Sequence, residues 1–202
     1  MDSSFSPFKS PASKLGDDKG HRLTGLQCKL KDSVADVHNL LLKWTALNRD
    51  GAAIISEITA CKMDIQSKNV ADDSQTNNSF LPLSLEPKCE ALLAVCRSME
   101  KIVNKLESLS STIQGLHTLN QYQNDVNAFL FKTWPIEQFV DTFSAIHTMY
   151  KKEHSLKQKL VQFVAHAETR NTLMFYLSAW SHEPYLNCND LLESLLFETG
   201  HR

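Results

Sequence analysis

The chain has 202 residues, 42% of them hydrophobic and 22% charged, with a formal net charge of −2. That length holds one domain, or a domain with a tail, and the near-neutral balance gives no electrostatic reason to expect nucleic acid or an anionic membrane as a partner. The six glycines form no GxGxxG or Walker-type spacing, which argues against a phosphate-cradling loop.

The five cysteines, Cys28, Cys61, Cys89, Cys96 and Cys188, are odd in number and form no CxxC pair. That usage suits a reducing compartment, with thiols serving as small apolar side chains. There is no N-terminal apolar segment and no apolar run near ~18 residues, so neither a signal peptide nor a membrane span is expected. These features together predict a soluble intracellular protein.

Residues 1–30 carry Ser, Pro, Lys and Gly without apolar periodicity and are predicted to be a disordered tail. Ser6-Pro7 and Ser10-Pro11 lie in it, and Ser6-Pro7-Phe8-Lys9 has the S-P-x-K form favoured by proline-directed, cyclin-dependent kinases. Ser6 and Ser10 are therefore candidate phosphosites, where a phosphate would add roughly −1.5 to −2 charges. Ser-Pro pairs are common in any such tail, and no cyclin-docking R-x-L is present.

A first long helix is predicted over 32–68, opening at Asp32 or Ser33 as cap. Val37, Leu40, Trp44, Leu47, Gly51, Ile54, Ile58, Cys61, Ile65 and Lys68 follow one another in alternating steps of three and four. Only Gly51 and Lys68 break the apolar seam, and a 3-4 repeat of this length winds one helix around another. Gly51, after Asn48-Arg49-Asp50, is the one place where a bend or a break is allowed. The neighbouring edge, Asp36, Lys43, Asp50, Glu57 and Asp64, is mostly acidic and would take bases alongside, or would simply be solvated.

Residues 69–83 form a linker longer than compact domains usually use, either flexible or a docking segment; Phe80, Leu81, Leu83 and Leu85 are expected to fold back onto the bundle, with a short partner-binding motif as the alternative. Helix two is predicted over 86–119, started by Pro87 with Ser84 as a candidate cap. Its seam, Leu92, Val95, Met99, Ile102, Leu106, Leu109, Ile113 and Leu116, is wholly apolar. The linker lets helix two return antiparallel to helix one as an αα-hairpin of coiled-coil character.

Thr133 or Trp134 should cap helix three (134–167), with Pro135 at its first turn. Its stripe, from Ile136, Phe139 and Phe143 to Leu160 and Val164, drifts with a 3.6 period, as packing within a globular bundle requires. Lys151, Lys152, Lys157 and Lys159 form the one basic cluster able to face the acidic edge of helix one. A short helix over 171–182 stops at Pro184, and a last one over 189–199 ends at Gly200.

Nothing in the chain has the form of a catalytic site. His147 and His154 are seven apart, whereas zinc sites on a helix use pairs at i, i+3 or i+4 with further ligands. Cys89 and Cys96 share the seam side as buried thiols, and no nucleophile elbow or paired-carboxylate site occurs. Trp44, Trp134 and Trp180 fit core positions better than a ligand stack. No catalytic residue, metal ligand or cofactor site is assigned.

Four stretches carry a family resemblance. They are Ala35-Asp36-Val37-His38-Asn39-Leu40-Leu41-Leu42-Lys43-Trp44 with Leu47-Asn48, then Thr133-Trp134-Pro135, then Tyr176-Leu177-Ser178-Ala179-Trp180-Ser181-His182-Glu183-Pro184-Tyr185, and finally Leu195-Leu196-Phe197-Glu198-Thr199-Gly200-His201-Arg202. On these strings the sequence resembles the cyclin-dependent kinase 2-interacting protein family from about Ala35 onward, apart from the linker after Lys68. The resemblance implies a nuclear adaptor in DNA replication and repair, without catalytic activity. Its implied partners are cyclin-dependent kinase 2, the cell-division-cycle-7 kinase at origins and the ATR-interacting protein in checkpoint signalling. It also implies a place in an AAA+ ATPase complex that acts on replication forks and on maturing large ribosomal subunits. No basic nuclear-import cluster stands out in the chain.

The expected fold is all-α, an antiparallel hairpin of two long helices plus a third long helix and two short ones. The expected interaction seam is Val37, Leu40, Trp44, Leu47, Ile54 and Ile58 on helix one, with Leu92, Val95, Met99, Ile102, Leu106 and Leu109 on helix two. The same seams would serve a partner's coiled coil or a homodimer, and a kinase substrate acting through its Ser-Pro tail is the alternative from another class. Neither a membrane nor direct nucleic-acid contact is expected.

Overall fold

The structure is a computed structural model that describes residues 25–71, 85–122 and 131–200, with side chains omitted at 66–71. Among the described residues it is all-α, as the periodicity predicts. Its helices are α1 (Gly25–Ala71), α2 (Glu86–Tyr122), α3 (Ile136–Val164), α4 (Arg170–His182) and α5 (Asn189–Thr199).

The chain runs up and down. Lys88 at the start of α2 pairs with Glu57 of α1, while Lys105 and Leu109 further along share a groove with Asp36 and Leu40, so α1 and α2 are antiparallel. His117 of α2 meets Glu137 of α3 and Cys96 meets His154, which makes that pair antiparallel too. α1 and α3 lie parallel: Trp44 stacks edge-on to Tyr150, with ring centroids 4.9 Å apart, and Asn48 reaches Lys157. Both α1 and α3 pack against α2, and both pack against α4 and α5. The result is a four-cornered bundle whose fourth corner is shared by two short helices in tandem.

Several boundaries differ from those the sequence predicts. α1 opens at Gly25 rather than at Asp32 or Ser33, because Leu30, fully buried four residues before the buried Val34, extends the apolar stripe into the predicted tail. Ser33 lies inside the helix and donates to the Lys29 carbonyl at 2.9 Å instead of capping. α1 also runs to Ala71, past the predicted start of the linker, and α2 continues to Tyr122. Leu85, fully buried, precedes α2, and its carbonyl accepts from the Lys88 and Cys89 amides. Ser84, Phe80, Leu81, Leu83, Ser6 and Ser10 lie outside the described residues.

The helix runs unbroken through Gly51, the position where the sequence allows a bend or a break. A Cβ there would lie 2.6 Å from Cε2 and 2.8 Å from Nε1 of Trp180. The glycine is the seat of an indole from α4, and the missing side chain explains the gap in the seam. Pro135 is the residue before α3 rather than its first turn, and neither Thr133 nor Trp134 caps it. α3 ends at Val164, and Thr169 caps α4 by accepting from the Thr172 amide at 3.1 Å. Gly200 closes α5 with φ +72°, the left-handed conformation suited to glycine.

Candidate interaction surfaces

The predicted seam lies inside the molecule. Val37, Leu40, Trp44 and Ile58 of α1 and Leu92, Met99, Ile102 and Leu106 of α2 are buried; Leu47, Ile54, Val95 and Leu109 are half-buried against the same core. The chain's own helices occupy the seam, so a partner meets the outward faces in this conformation.

The centre of the bundle holds a buried charge cluster. Lys157 of α3 has no solvent exposure, and its Nζ donates to Asn48 Oδ1 of α1 at 2.6 Å and to the Trp180 carbonyl of α4 at 2.8 Å. Glu183 Oε1 lies 3.4 Å and Glu153 Oε1 3.6 Å from the same nitrogen, which sits 4.4 Å above the Trp180 ring. Trp44 Nε1 donates to Glu183 Oε1 at 2.7 Å, and Trp180 Nε1 donates to the Asn48 carbonyl at 2.9 Å. Glu153 Oε2 accepts from the Tyr185 amide at 3.1 Å.

Burial pushes the Lys157 pKa down against the pull of both carboxylates, and pushes Glu153 up against its hydrogen bond from Tyr185 and the ammonium beside it. Loss of one member is costly in such a cluster, because it leaves a buried charge without its counter-charge. Glu183 holds a left-handed backbone, φ 47° and ψ 62°, uncommon for a side chain of this size. Its carboxylate, engaged by Trp44 and Lys157, pins it there. Lys157 has no solvent exposure, so its depressed pKa accompanies a structural tie between helices.

A second tie closes the start of α3. Glu198 of α5 accepts from the Lys132 amide at 2.7 Å and the Trp134 amide at 2.8 Å, and also from the Thr133 amide and hydroxyl. Burial works against the Glu198 carboxylate, but these donors outweigh it and hold its pKa below the usual value. The four family-resembling strings thus meet in two pairs, the first with the third at Lys157 and the second with the fourth at Glu198.

The basic cluster does not line up along the acidic edge of α1. Lys151, Lys152 and Lys159 are exposed, and Glu57 is paired with Lys88 of α2 instead. With α1 and α3 at opposite corners, only the inner face of α3 reaches α1, and Lys157 is the base on that face. One signal for this was present in the sequence: Lys157 falls within the apolar stripe of α3, four residues after Glu153 and three before Leu160.

Cys96 is buried with its Sγ 3.7 Å from His154 Nε2, and burial raises its thiol pKa to about 11, so it stays protonated. Burial lowers the His147 pKa. Among the described residues no group of His, Cys, Asp and Glu is arranged to hold a metal ion, and no helix is long and apolar enough to cross a membrane.

Grooves open on the outward faces. A groove of about 650 Å³ between α1 and α2 is lined by Leu40, Leu42 and Leu109, with Asp36, Lys43 and Lys105 among its polar residues. Phe163 and Tyr176 border a shallower groove where α3 gives way to α4, beside the exposed Phe175. Lys152, Ser155, Lys159 and Tyr185 border a basic one.

No family model matches the chain. Among curated proteins it is 38% identical over 184 residues to the cyclin-dependent kinase 2-interacting protein of Xenopus laevis, covering 86% of this chain and 89% of that protein. The protein of the same name from Bos taurus is 37% identical over 189 residues, and that from Homo sapiens 35% over 189, with the same coverage of both chains.

Proposed function

The chain belongs to the cyclin-dependent kinase 2-interacting protein family, and from that membership we propose that it is a non-catalytic nuclear adaptor that binds cyclin-dependent kinase 2. On this reading it works in DNA replication and genome maintenance. Its further partners are the cell-division-cycle-7 kinase, the ATR-interacting protein and an AAA+ ATPase complex linked to replication forks and large ribosomal subunits. The observation that carries the reading is the shared identity across 86% of the chain. The arrangement of the resembling strings supports it, since Trp44, Asn48, Trp180, Glu183 and Glu198 within them tie helices together while grooves remain on the outside.

Binding of the purified chain to purified cyclin-dependent kinase 2, alone and with cyclin, tests the core of the proposal by calorimetry. A saturable one-to-one isotherm is expected, weakened by charge or alanine substitutions on an outward face while helicity is unchanged. No heat of binding to either form would refute the kinase link. Imaging of a fluorescent fusion tests the location, and exclusion from the nucleus would refute that part.

The Ser6 and Ser10 tail favours a second reading, as a kinase substrate, because Ser6-Pro7-Phe8-Lys9 fits a proline-directed site. Deleting residues 1–24 separates the two. The adaptor keeps its complex, whereas a substrate acting through its tail loses it.

A further inference from the structure

The outward face of α5 is open among the described residues. Asp190, Glu193 and Phe197 follow one another at i, i+3 and i+7 and, with Trp134 from the start of α3, line a groove of about 490 Å³. Phe197 is 66% exposed, and Lys132, the base at this rim, is spent on it. The Lys132 Nζ donates to the Phe197 carbonyl at 2.8 Å and lies 3.7 Å from the ring centroid. Asp190 and Glu193 are exposed and make no ion pair among the described residues. The groove thus offers two aromatic walls and two carboxylates.

We propose that the chain's own N-terminal segment, from Phe5 to Leu15, docks in this groove. Phe5-Ser6-Pro7-Phe8-Lys9-Ser10-Pro11-Ala12-Ser13-Lys14-Leu15 brings Phe5 and Phe8 to the aromatic walls and Lys9 and Lys14 to the carboxylates, and it contains no acid. Its prolines lower the ordering cost of lying extended in an aromatic-lined groove. The attachment point is suitably placed. Trp44 of α1 meets Tyr150 of the parallel α3, and Gly25 and Trp134 stand a similar distance before that contact, at the same end of the bundle. Residues 16–24 span up to about 30 Å when extended, against roughly 8–10 Å between neighbouring helix axes.

Charge and tethering favour this occupant. Of the other stretches outside the described residues, 72–84 and 123–130 carry aspartates and no base, and His201 and Arg202 bring no apolar side chain. A segment of the same chain also meets the groove at an effective concentration on the order of millimolar, so individually weak contacts suffice. A phosphate on Ser6 or Ser10 would bring like charge beside Asp190 and Glu193 and lift the segment away.

NMR relaxation of the full nitrogen-15-labelled chain tests the docking, with far-UV circular dichroism as a check on folding. Backbone order parameters at the non-proline residues of 5–15 should exceed ~0.6 in the wild-type chain. They should fall below that in the double variant Asp190→Lys with Glu193→Lys, at unchanged helicity because both sites are exposed. Adding Lys9→Glu and Lys14→Glu to that variant should restore the order, since the charges are then exchanged and not lost. Ser6→Glu with Ser10→Glu, in the wild-type background, should lower it. Zero-length carbodiimide coupling of mixed labelled and unlabelled chains should join Lys9 or Lys14 to Asp190 or Glu193 within one isotope. A flexible segment in the wild-type chain overturns the proposal. So does an ordered one that is indifferent to either charge change or that the exchange fails to restore. Links joining the two isotopes overturn it as well, because they put the segment on a second copy. None of these readouts involves a kinase, so their failure leaves the partner proposed above untouched.

Discussion

Lys157 shows how much one side chain holds. Its ammonium joins α1, α3 and α4 through Asn48, Glu153, Glu183 and the Trp180 carbonyl, and neither Lys157 nor Glu153 has any solvent exposure. Lys157→Ala leaves two carboxylates facing each other in a buried site, and should cost about 3–5 kcal/mol in urea unfolding. A loss below ~1 kcal/mol would mean that water enters the cluster. Glu198 gives a pH-dependent counterpart. Its folded pKa lies below the ordinary carboxylate value, so the unfolded chain takes up that proton first as pH falls. Its stabilisation is complete above the unfolded pKa and is lost as pH drops through the folded one. Glu198→Gln should therefore lower stability at neutral pH and flatten the acid limb of a stability–pH curve. An unchanged slope would place the acid sensitivity elsewhere. Neither tie was legible as such in the sequence. Lys157 reads as one of four surface bases and Glu198 as an acid near a chain end, because the acceptor Asn48 lies 109 residues from Lys157 and the donor amides lie 64–66 residues from Glu198.

At the scale of the helix, two glycines separate intrinsic propensity from packing. Gly115 lies in α2 with nothing within 4 Å of where a Cβ would stand, and Gly51 lies in α1 against Trp180. Propensity alone gives Gly→Ala about 0.5–1 kcal/mol of stabilisation in either helix. Gly115→Ala should show that gain in a thermal melt. Gly51→Ala should instead lose about 1–2 kcal/mol net, because the methyl displaces an indole that also donates to Asn48. Stabilisation at both positions would show that Trp180 moves aside freely. The contrast marks what the sequence reveals at this level. The 3-4 apolar spacing announced the long helices, since a buried face repeats whatever it packs against. It could not tell a bend at Gly51 from a seat for another helix, because the residue that needs the space is on α4. Likewise the sequence alone puts the start of α1 too late, as Leu30 sits between Lys29 and Lys31 and its burial depends on the other helices.

Taken whole, the molecule joins its two longest helices to the other three, and this changes what their seams do. Strict heptads suit an isolated rod as well as a bundle corner, and the sequence contains no term that chooses between them. The choice is made by α4 and α5, which together supply the fourth corner and bring Trp180, Glu183 and Leu195 against the flank of α1 and α3. If α1 and α2 were a self-sufficient hairpin, they would stay helical after the remaining corner was lost, and unfolding would occur in stages. If the four corners share one core, helicity and tertiary packing disappear together. The tryptophans report on that packing, since Trp44 and Trp180 are buried at the α1–α3–α4 junction and Trp134 lies against Phe139. Urea unfolding followed by circular dichroism at 222 nm and by tryptophan fluorescence should therefore give coincident transitions with one midpoint. A fluorescence change that precedes the loss of helicity would mean that the hairpin outlives the bundle. Its seams would then be available to zip with other helices after local opening, a route that the closed bundle denies them.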